Sequence, residues 1–148
     1  MKKIILVVAV FFVTSCATNT SFNTFYQNNQ EDSEFSFGLS SSLIANFLPD
    51  EDVEDIKPLL KKAKHIRILV FSQNAEEKNK KFNKFINRSQ FEKVVKLKDD
   101  DDKLAFFTLE KKDRIKEIVL EISSGSELVL IGLKTNLTQE DLDTLLKS

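Results

Sequence analysis

Few side chains of this 148-residue chain can take part in nucleophilic, metal or redox chemistry. The chain has one Cys, at position 16, and one His, at position 65. A single thiol excludes an internal disulfide and a multi-cysteine zinc or iron–sulfur site, and a single imidazole excludes a histidine pair on a metal. The 3 Gly residues are too few for a glycine-rich phosphate loop. We therefore predict no catalytic, cofactor-binding or metal-binding residue and no enzymatic activity.

Two charged segments have simpler explanations than chemistry. His65 lies between Lys64 and Arg67 without a second histidine, so we interpret it as a structural or surface residue. Asp99–Asp102 lacks the alternating ligands and the glycine turn of a calcium loop, which favours a solvated hairpin loop. Together with Lys103 it spells the recognition sequence of the protease enteropeptidase. The 23 acidic residues leave a carboxylate pair for acid–base catalysis open as an alternative.

The surroundings of Cys16 predict lipid attachment. Lys2 and Lys3 precede an uninterrupted apolar run, Ile4–Val13, as in a signal peptide. At about 1.5 Å per residue this run covers roughly half of a bilayer core of about 30 Å, which is too short for an ordinary transmembrane helix. Val13-Thr14-Ser15-Cys16 resembles a bacterial lipobox, in which the thiol receives diacylglycerol and a peptidase cuts before it. We predict a signal peptide at 1–15 and a lipidated Cys16 with a short tether at 16–21. A plain secretory signal and a buried core thiol are the alternatives.

The predicted processing fixes the expected location and charge. Removal of Lys2 and Lys3 leaves 20 basic residues against 23 acidic ones, a formal charge of −3. We therefore expect no nucleic-acid partner and no general attraction to anionic head groups. Ala17 stands where an inner-membrane retention signal would resemble Asp, so by similarity to sorted lipoproteins the outer membrane, facing the periplasm, is favoured.

Residues 22–148 are predicted to form a single α+β domain, because helical and strand-like apolar periods follow one another over one domain length. Ile66–Phe71 is apolar apart from Arg67, which favours a strand in the middle of the sheet. Before it we predict a short helix through Phe22, Phe25 and Tyr26, a strand with one buried face at Glu34–Leu39, a helix carrying Leu43–Leu48, and a second helix at Asp50–Ala63 that breaks at Pro58.

A further helix is predicted to begin at Asn74. Asn74 followed by Glu77 is typical of a capping box. We expect the large apolar side chains of this helix to face inward and its lysines to face water. The inward set is Phe82, Phe85 and Ile86, and the outward set is Lys78, Lys80, Lys81 and Lys84.

From Phe91 onward the apolar period is two, which predicts strands. Short polar spacers separate the runs, so we predict a four-stranded antiparallel meander, with helices packed on a mostly antiparallel sheet. Thr138, with Asp141 three residues later, is predicted to cap a C-terminal helix. The four predicted strands are Phe91–Lys98, Lys103–Glu110, Arg114–Ile122 and Glu127–Lys134.

Several segments together resemble a known family. They are the lipobox, the aromatic residues Phe22, Phe25 and Tyr26, and the apolar segments Ile66–Leu69 and Leu128–Leu133. Over residues 22–147 the chain resembles the domain of unknown function 4252 family of Bacteroidetes lipoproteins. The resemblance implies a small α+β envelope protein without an assigned activity, and it carries over no functional residue except Cys16.

These observations predict a lipid-anchored envelope protein that acts as a non-catalytic binding or regulatory module. Its expected partners are the membrane, through the lipid on Cys16, and an envelope protein. A small lipocarrier that binds an apolar ligand in a Phe-lined cavity is the alternative. Asp143-Thr144-Leu145 is similar to the O-glycosylation signal of Bacteroidetes, although it lies within the predicted C-terminal helix.

Overall fold

A computed structural model describes residues 21–40, 43, 61–100 and 102–147, except for the side chains at 95, 97, 99 and 146. In chain order the described elements are α1 (Phe22–Asn29), a 3₁₀ turn (Gln30–Asp32), β1 (Phe35–Ser40), β2 (His65–Phe71), α2 (Ala75–Arg88), β3 (Glu92–Asp99), β4 (Asp102–Lys111), β5 (Arg114–Ser124), β6 (Glu127–Leu137) and α3 (Gln139–Lys147). The six strands form one antiparallel sheet in the order β1-β2-β6-β5-β4-β3, which confirms the predicted α+β class.

The C-terminal meander is present as predicted. Strands β3 to β6 pair successively, so that Leu120 of β5 lies between Phe106 of β4 and Ile131 of β6. Lys112 and Asp113, with φ of 52° and 63°, form the turn between β4 and β5. Positive φ at both central residues matches the right-handed twist of a two-residue hairpin, which keeps these strands adjacent.

The apolar strand β2 does not lie in the middle of the sheet, so that expectation is wrong. It lies second from one edge, with Ile68 between Phe37 of β1 and Ile131 of β6. Its apolar sequence instead reflects contacts on both faces: Leu69 belongs to one hydrophobic cluster and Ile66 to the other. A strand next to the edge can therefore be as apolar as a central one.

Each face of the sheet carries its own cluster. On the α1/α2 face, Phe22 and Phe82 pack with Leu130 and other buried side chains. On the opposite α3 face, Leu142 packs with Leu133 in a second cluster. Among the Phe residues that the structure describes, seven have side chains buried in these clusters, which agrees with the core role of this residue type.

A glycine in β6 seats α1 on the sheet. A Cβ atom at Gly132 would lie 2.0 Å from Cδ1 of Phe22, which no real structure allows. The Phe22 ring, which is 2% exposed, therefore rests directly on the backbone of β6. This contact fixes the N-terminal end of α1 over the sheet.

The helix α2 begins where the sequence predicts but without the predicted capping box. Asn74 has φ 57°, and its side chain makes no hydrogen bond to the first turn. Phe82 and Ile86 are buried as expected, and Phe85 is half-buried.

The expectation that Lys78 faces water is wrong. Its side chain is buried, with Nζ 2.8 Å from Oδ2 of Asp32 and 5.8 Å from the ring centre of Phe71. The hydrogen bond from Lys78 lowers the pKa of Asp32. Burial lowers the pKa of Lys78, but the hydrogen bond to Asp32, together with other neighbouring interactions, outweighs burial and raises the pKa above its ordinary value. The pair joins α2 to the 3₁₀ turn.

The C-terminal helix is capped as predicted. The backbone N–H of Asp141 donates to Oγ1 of Thr138, and the backbone N–H of Thr138 donates to Oδ2 of Asp141, each at 3.0 Å. The hydrogen bond from the Thr138 N–H lowers the pKa of the Asp141 carboxyl. Leu137 and Leu142 share the cluster on the α3 face, as a hydrophobic staple requires.

Some predicted elements fall largely outside the described residues. The signal peptide and the tether up to residue 20 lie outside them, as do the predicted helices at 43–48 and 50–63 except for helical Leu43, Lys61 and Lys62 and buried Ala63. The predicted strand at Glu34–Leu39 is confirmed as β1, but its face is less buried than expected, since Phe35 is 54% exposed.

Candidate functional site

The residues singled out for possible chemistry lie apart. His65 is exposed at the start of β2, opposite Lys134. The strand β3 ends at Asp99 and β4 begins at Asp102, as the predicted hairpin requires. Within the described ranges no group of three or more His, Cys, Asp and Glu could hold a metal ion. Cys16 lies outside those ranges.

A buried carboxylate on β5 links the sheet to α2. Glu121 is fully buried, and its Oε1 accepts hydrogen bonds from Nδ2 of Asn79 at 2.6 Å and Nζ of Lys103 at 3.1 Å. Asn83 donates to Oδ1 of Asn79, which extends the network along α2. Oε2 of Glu121 has no hydrogen-bond partner among the described residues. The network ties three elements together, because each partner comes from a different one.

A second carboxylate on β5 lies under the start of α1. The backbone N–H of Phe22 donates to Oε1 of Glu117, with an N···O distance of 3.2 Å. Burial raises the pKa of Glu117, although the Phe22 N–H and the nearby cations Lys134, Lys111 and Arg67 act in the opposite direction. Glu117 thus satisfies a free N–H group at the helix N-terminus.

Around Glu117 lies a cleft of about 450 Å³, which we call the basic basin. It opens at the end of the α1/α2 face where Ser21 begins the described chain. Its wall carries five cationic side chains, namely Lys64, Arg67, Lys111, Lys116 and Lys134. This concentration of one charge sign favours an anionic ligand or surface.

The sequence match identifies a family and assigns no activity. The family described as Domain of unknown function (DUF4252) matches residues 25–145. The chain belongs to the DUF4252 family. No curated protein and no solved structure matches the chain. The matched range includes the whole described sheet of this DUF4252 domain together with Glu117, Glu121 and all five cations of the basic basin.

The two outer strands of the DUF4252 sheet differ in how they are protected. The strand β3 carries exposed Lys93, Lys96 and Lys98 and a bulge between Lys93 and Val95. The strand β1, Phe35–Ser40, carries no charged residue and pairs with β2 without a break in register. Lysines and bulges discourage the addition of another strand, so β1 is the more receptive edge of the described sheet.

Two other observations bear on the membrane and on modification. No helix among the residues described for this DUF4252 domain is long and apolar enough to cross a bilayer. Asp143-Thr144-Leu145 lies inside α3, where the Thr144 hydroxyl donates to the carbonyl of Glu140 at 2.9 Å. The hydroxyl that a glycan would need is therefore engaged within the helix.

The sequence analysis did not identify Glu117 and Glu121, although their spacing holds a signal. Both alternate with Ile118, Leu120 and Ile122 along β5, so they share the face of Val119. A period of two therefore places both carboxylates on one face of the sheet. It does not say that helices cover that face, which depends on where distant α1 and α2 pack.

Proposed function

We propose that this DUF4252 protein is lipid-anchored in the bacterial cell envelope, at the outer membrane and facing the periplasm. The observation that carries the proposal is the coincidence of Lys2 and Lys3, the apolar run Ile4–Val13 and small residues directly before the single Cys of the chain. Each methylene of an attached acyl chain contributes about 0.8 kcal/mol of membrane binding, so two or three chains hold a protein durably. In this proposal Cys16 is the first residue of the mature protein.

Mass spectrometry of the mature N-terminus tests the anchor. Protein extracted from native membranes should begin at Cys16 and should carry a diacylglyceryl thioether on that residue. The matched variant Cys16→Ala should lack the lipid and should keep residues 1–15 attached or lose them at another position. A mature protein with an unmodified thiol at Cys16 would contradict the proposal.

We further propose that the anchored domain acts by binding and not by catalysis. Its perturbed ionisable groups support structural roles, since Asp32 pairs with Lys78, Asp141 caps α3 and Glu117 bonds the start of α1. The described clefts carry charged side chains on their walls, which suits them less well to enclosing a lipid. The binding proposal therefore accounts for the described residues better than the lipocarrier alternative.

The edge of β1 is the surface that we assign to a partner protein. An uncharged, extended segment of an envelope protein could add to this edge through backbone hydrogen bonds, with apolar side chains beside Phe35 and Phe37. The two rings already stack, with centroids 6.0 Å apart. Phe37 lies beside Ile68, which packs against the hydrophobic cluster on the α3 face, so the rings continue the apolar surface of that face to the edge of the sheet. A segment with alternating apolar residues would extend this apolar surface by one more strand.

A charge placed on the edge tests this assignment. Phe35→Lys should abolish capture of the partner in cross-linking from native membranes, because a lysine on an edge strand opposes strand addition. The matched control is Val94→Lys, which places the same charge on an exposed apolar residue, 42% accessible, of the other outer strand. Equal capture by both variants and the unaltered protein would contradict a role for β1.

A further inference from the structure

The basic basin contains more positive charge than its own carboxylate can neutralise. Five cations and one carboxylate, Glu117, line it, which leaves four cations in excess. None of the five forms an ion pair with a described residue. Lys64 and Lys111 are exposed, so their ammonium groups are open to an external anion.

Two of the cations are held in place by neighbouring side chains. Arg67 lies over the ring of Tyr26, 6.0 Å from its centroid, and Lys116 donates to Oδ1 of Asn136 at 3.0 Å. These contacts leave the positive charge uncompensated, because a ring and an amide carry no net charge. Part of the positive charge of the basin is therefore held in place by these contacts.

The tether brings this surface to the membrane. Ser21 lines the basin, and Cys16 precedes it by five residues. Five residues span at most about 17 Å when fully extended. If Cys16 carries the lipid, as proposed above, Ser21 is the residue of the described domain that is nearest to the anchor along the chain. The basin that it lines is then held close to the head groups.

We propose that the basic basin docks on the anionic head groups of the bilayer that holds Cys16. This inference rests on the proposed lipid anchor. The formal charge of −3 on the mature chain predicts no such attraction, but it averages over the molecule. Charges beyond about 8 Å are largely screened at physiological salt, so a membrane in contact with the basin responds to its local excess of cations.

Docking in this way would give the domain a defined orientation. Glu117 and Lys134, opposite each other, lie at the basin, whereas Ser124 and Glu127 are opposite each other at the far end of the same strands. The seven-residue step along β5 corresponds to about 23 Å. The Phe35 end of β1 lies at the same end of the sheet as the β5–β6 turn. Both would then point away from the membrane.

Energy transfer to a membrane acceptor tests the inference on the lipidated full-length protein. A fluorophore is attached through Asn23→Cys in the basin or through Ser126→Cys in the β5–β6 turn, because lipid blocks the thiol of Cys16. On vesicles of phosphatidylcholine with phosphatidylglycerol, transfer should be stronger from position 23 than from position 126. On pure phosphatidylcholine vesicles the difference should shrink.

Charge reversal supplies the matched comparison. Lys64→Glu with Lys111→Glu should lower the ratio of docked to undocked protein at least about 25-fold, since each lysine near an anionic surface contributes about fivefold. The control Lys96→Glu with Lys98→Glu makes the same net change on exposed lysines of β3 and should leave transfer from position 23 unchanged.

The outcomes separate the inference from the anchor. Protein that pellets with both kinds of vesicle but shows equal transfer from positions 23 and 126 overturns the docking and leaves the anchor intact. A loss of transfer with the β3 control as large as with the basin variant also overturns the docking. Protein that pellets with neither vesicle overturns the anchor and the docking together.

Discussion

Glu117 and Glu121 lie four residues apart on one face of β5, yet their surroundings differ. α2 closes over Glu121, whose Oε1 is bonded to Asn79 and Lys103. Glu117 lies at the open end of the face, where the start of α1 supplies one N–H donor and the basic basin supplies cations. The same residue type on the same strand thus serves as a buried link at one end and as part of a charged surface at the other. The position of the covering helix decides which.

The largest expected loss of stability comes from displacing α1 from the open end of the sheet face, where Glu117 lies. Gly132→Ala places a Cβ where the Phe22 ring now lies, so the ring must leave the sheet. Overpacking together with exposure of a large aromatic side chain should lower the free energy of unfolding by about 3 kcal/mol or more. Urea denaturation followed by circular dichroism measures it. Gly125→Ala is no matched control because φ at Gly125 is 56°, whereas Gly38→Ala, which meets atoms only at 3.9 Å or beyond, should have a much smaller effect.

The second-largest loss of stability is expected at the end of the β5 face that α2 covers, which we call the closed end. Glu121→Ala leaves Lys103 and Asn79 without their shared acceptor and opens a cavity under α2. We expect a loss of about 2 kcal/mol, less than for a fully buried ion pair because the Lys103 side chain is 23% exposed and can reach water. Glu121→Gln keeps an acceptor oxygen and should lose less in the same denaturation assay. Equal losses for both variants would mean that shape, and not hydrogen bonding, determines the cost.

Removal of one donor from the closed end should have a smaller effect. Asn79→Ala leaves Glu121 with Lys103 as its donor and breaks the bond from Asn83. A net loss of about 1 kcal/mol is typical of one such hydrogen bond. In a double-mutant cycle with Glu121→Ala, the two losses should not add, because both variants break the same bond. Simple additivity would show that the bond contributes nothing to stability.

The smallest effect is a pH dependence at the open end. Burial raises the pKa of Glu117 above its ordinary value of 4.5, so the folded protein binds this proton more tightly than the unfolded chain does. Its contribution to stability is therefore greatest below pH 4.5 and falls as pH rises through 4.5 to the raised pKa of the folded state. Glu117→Gln cannot ionise and can still accept from the Phe22 N–H, so the variant should lack this fall. Denaturation across a pH series measures it, and parallel curves for both proteins would contradict the assignment.

Sequence patterns predicted the elements of this comparison better than their arrangement. The period of two located all four strands of the meander, and the spacing of Phe22 and Phe25 located α1, because local periodicity follows from which face is buried. Gly132 inside an apolar strand also signals close approach of another group. Its partner, Phe22, is distant in sequence, and no local pattern identifies it.

Two wrong predictions show the limit of what local sequence patterns can predict. Lys78 occupies the same helical row as Phe82 and Ile86, four and eight residues later, so its inward position could have been predicted from spacing. What could not be predicted is Asp32, which makes that burial tolerable and comes from an earlier segment. The position of β2 beside β6 likewise depends on long-range pairing, which apolar composition does not encode.

Proteolysis at the hairpin between β3 and β4 can be used to measure local unfolding of the meander. Lys103, after which enteropeptidase would cut, pairs through its backbone with Lys98 and Ser123, and its ammonium group is bound to Glu121. A protease needs an extended, unpaired substrate, so scission after Lys103 requires these strands to separate. The rate of cleavage by a fixed amount of the enzyme should therefore report how often the meander opens, without any label or engineered site.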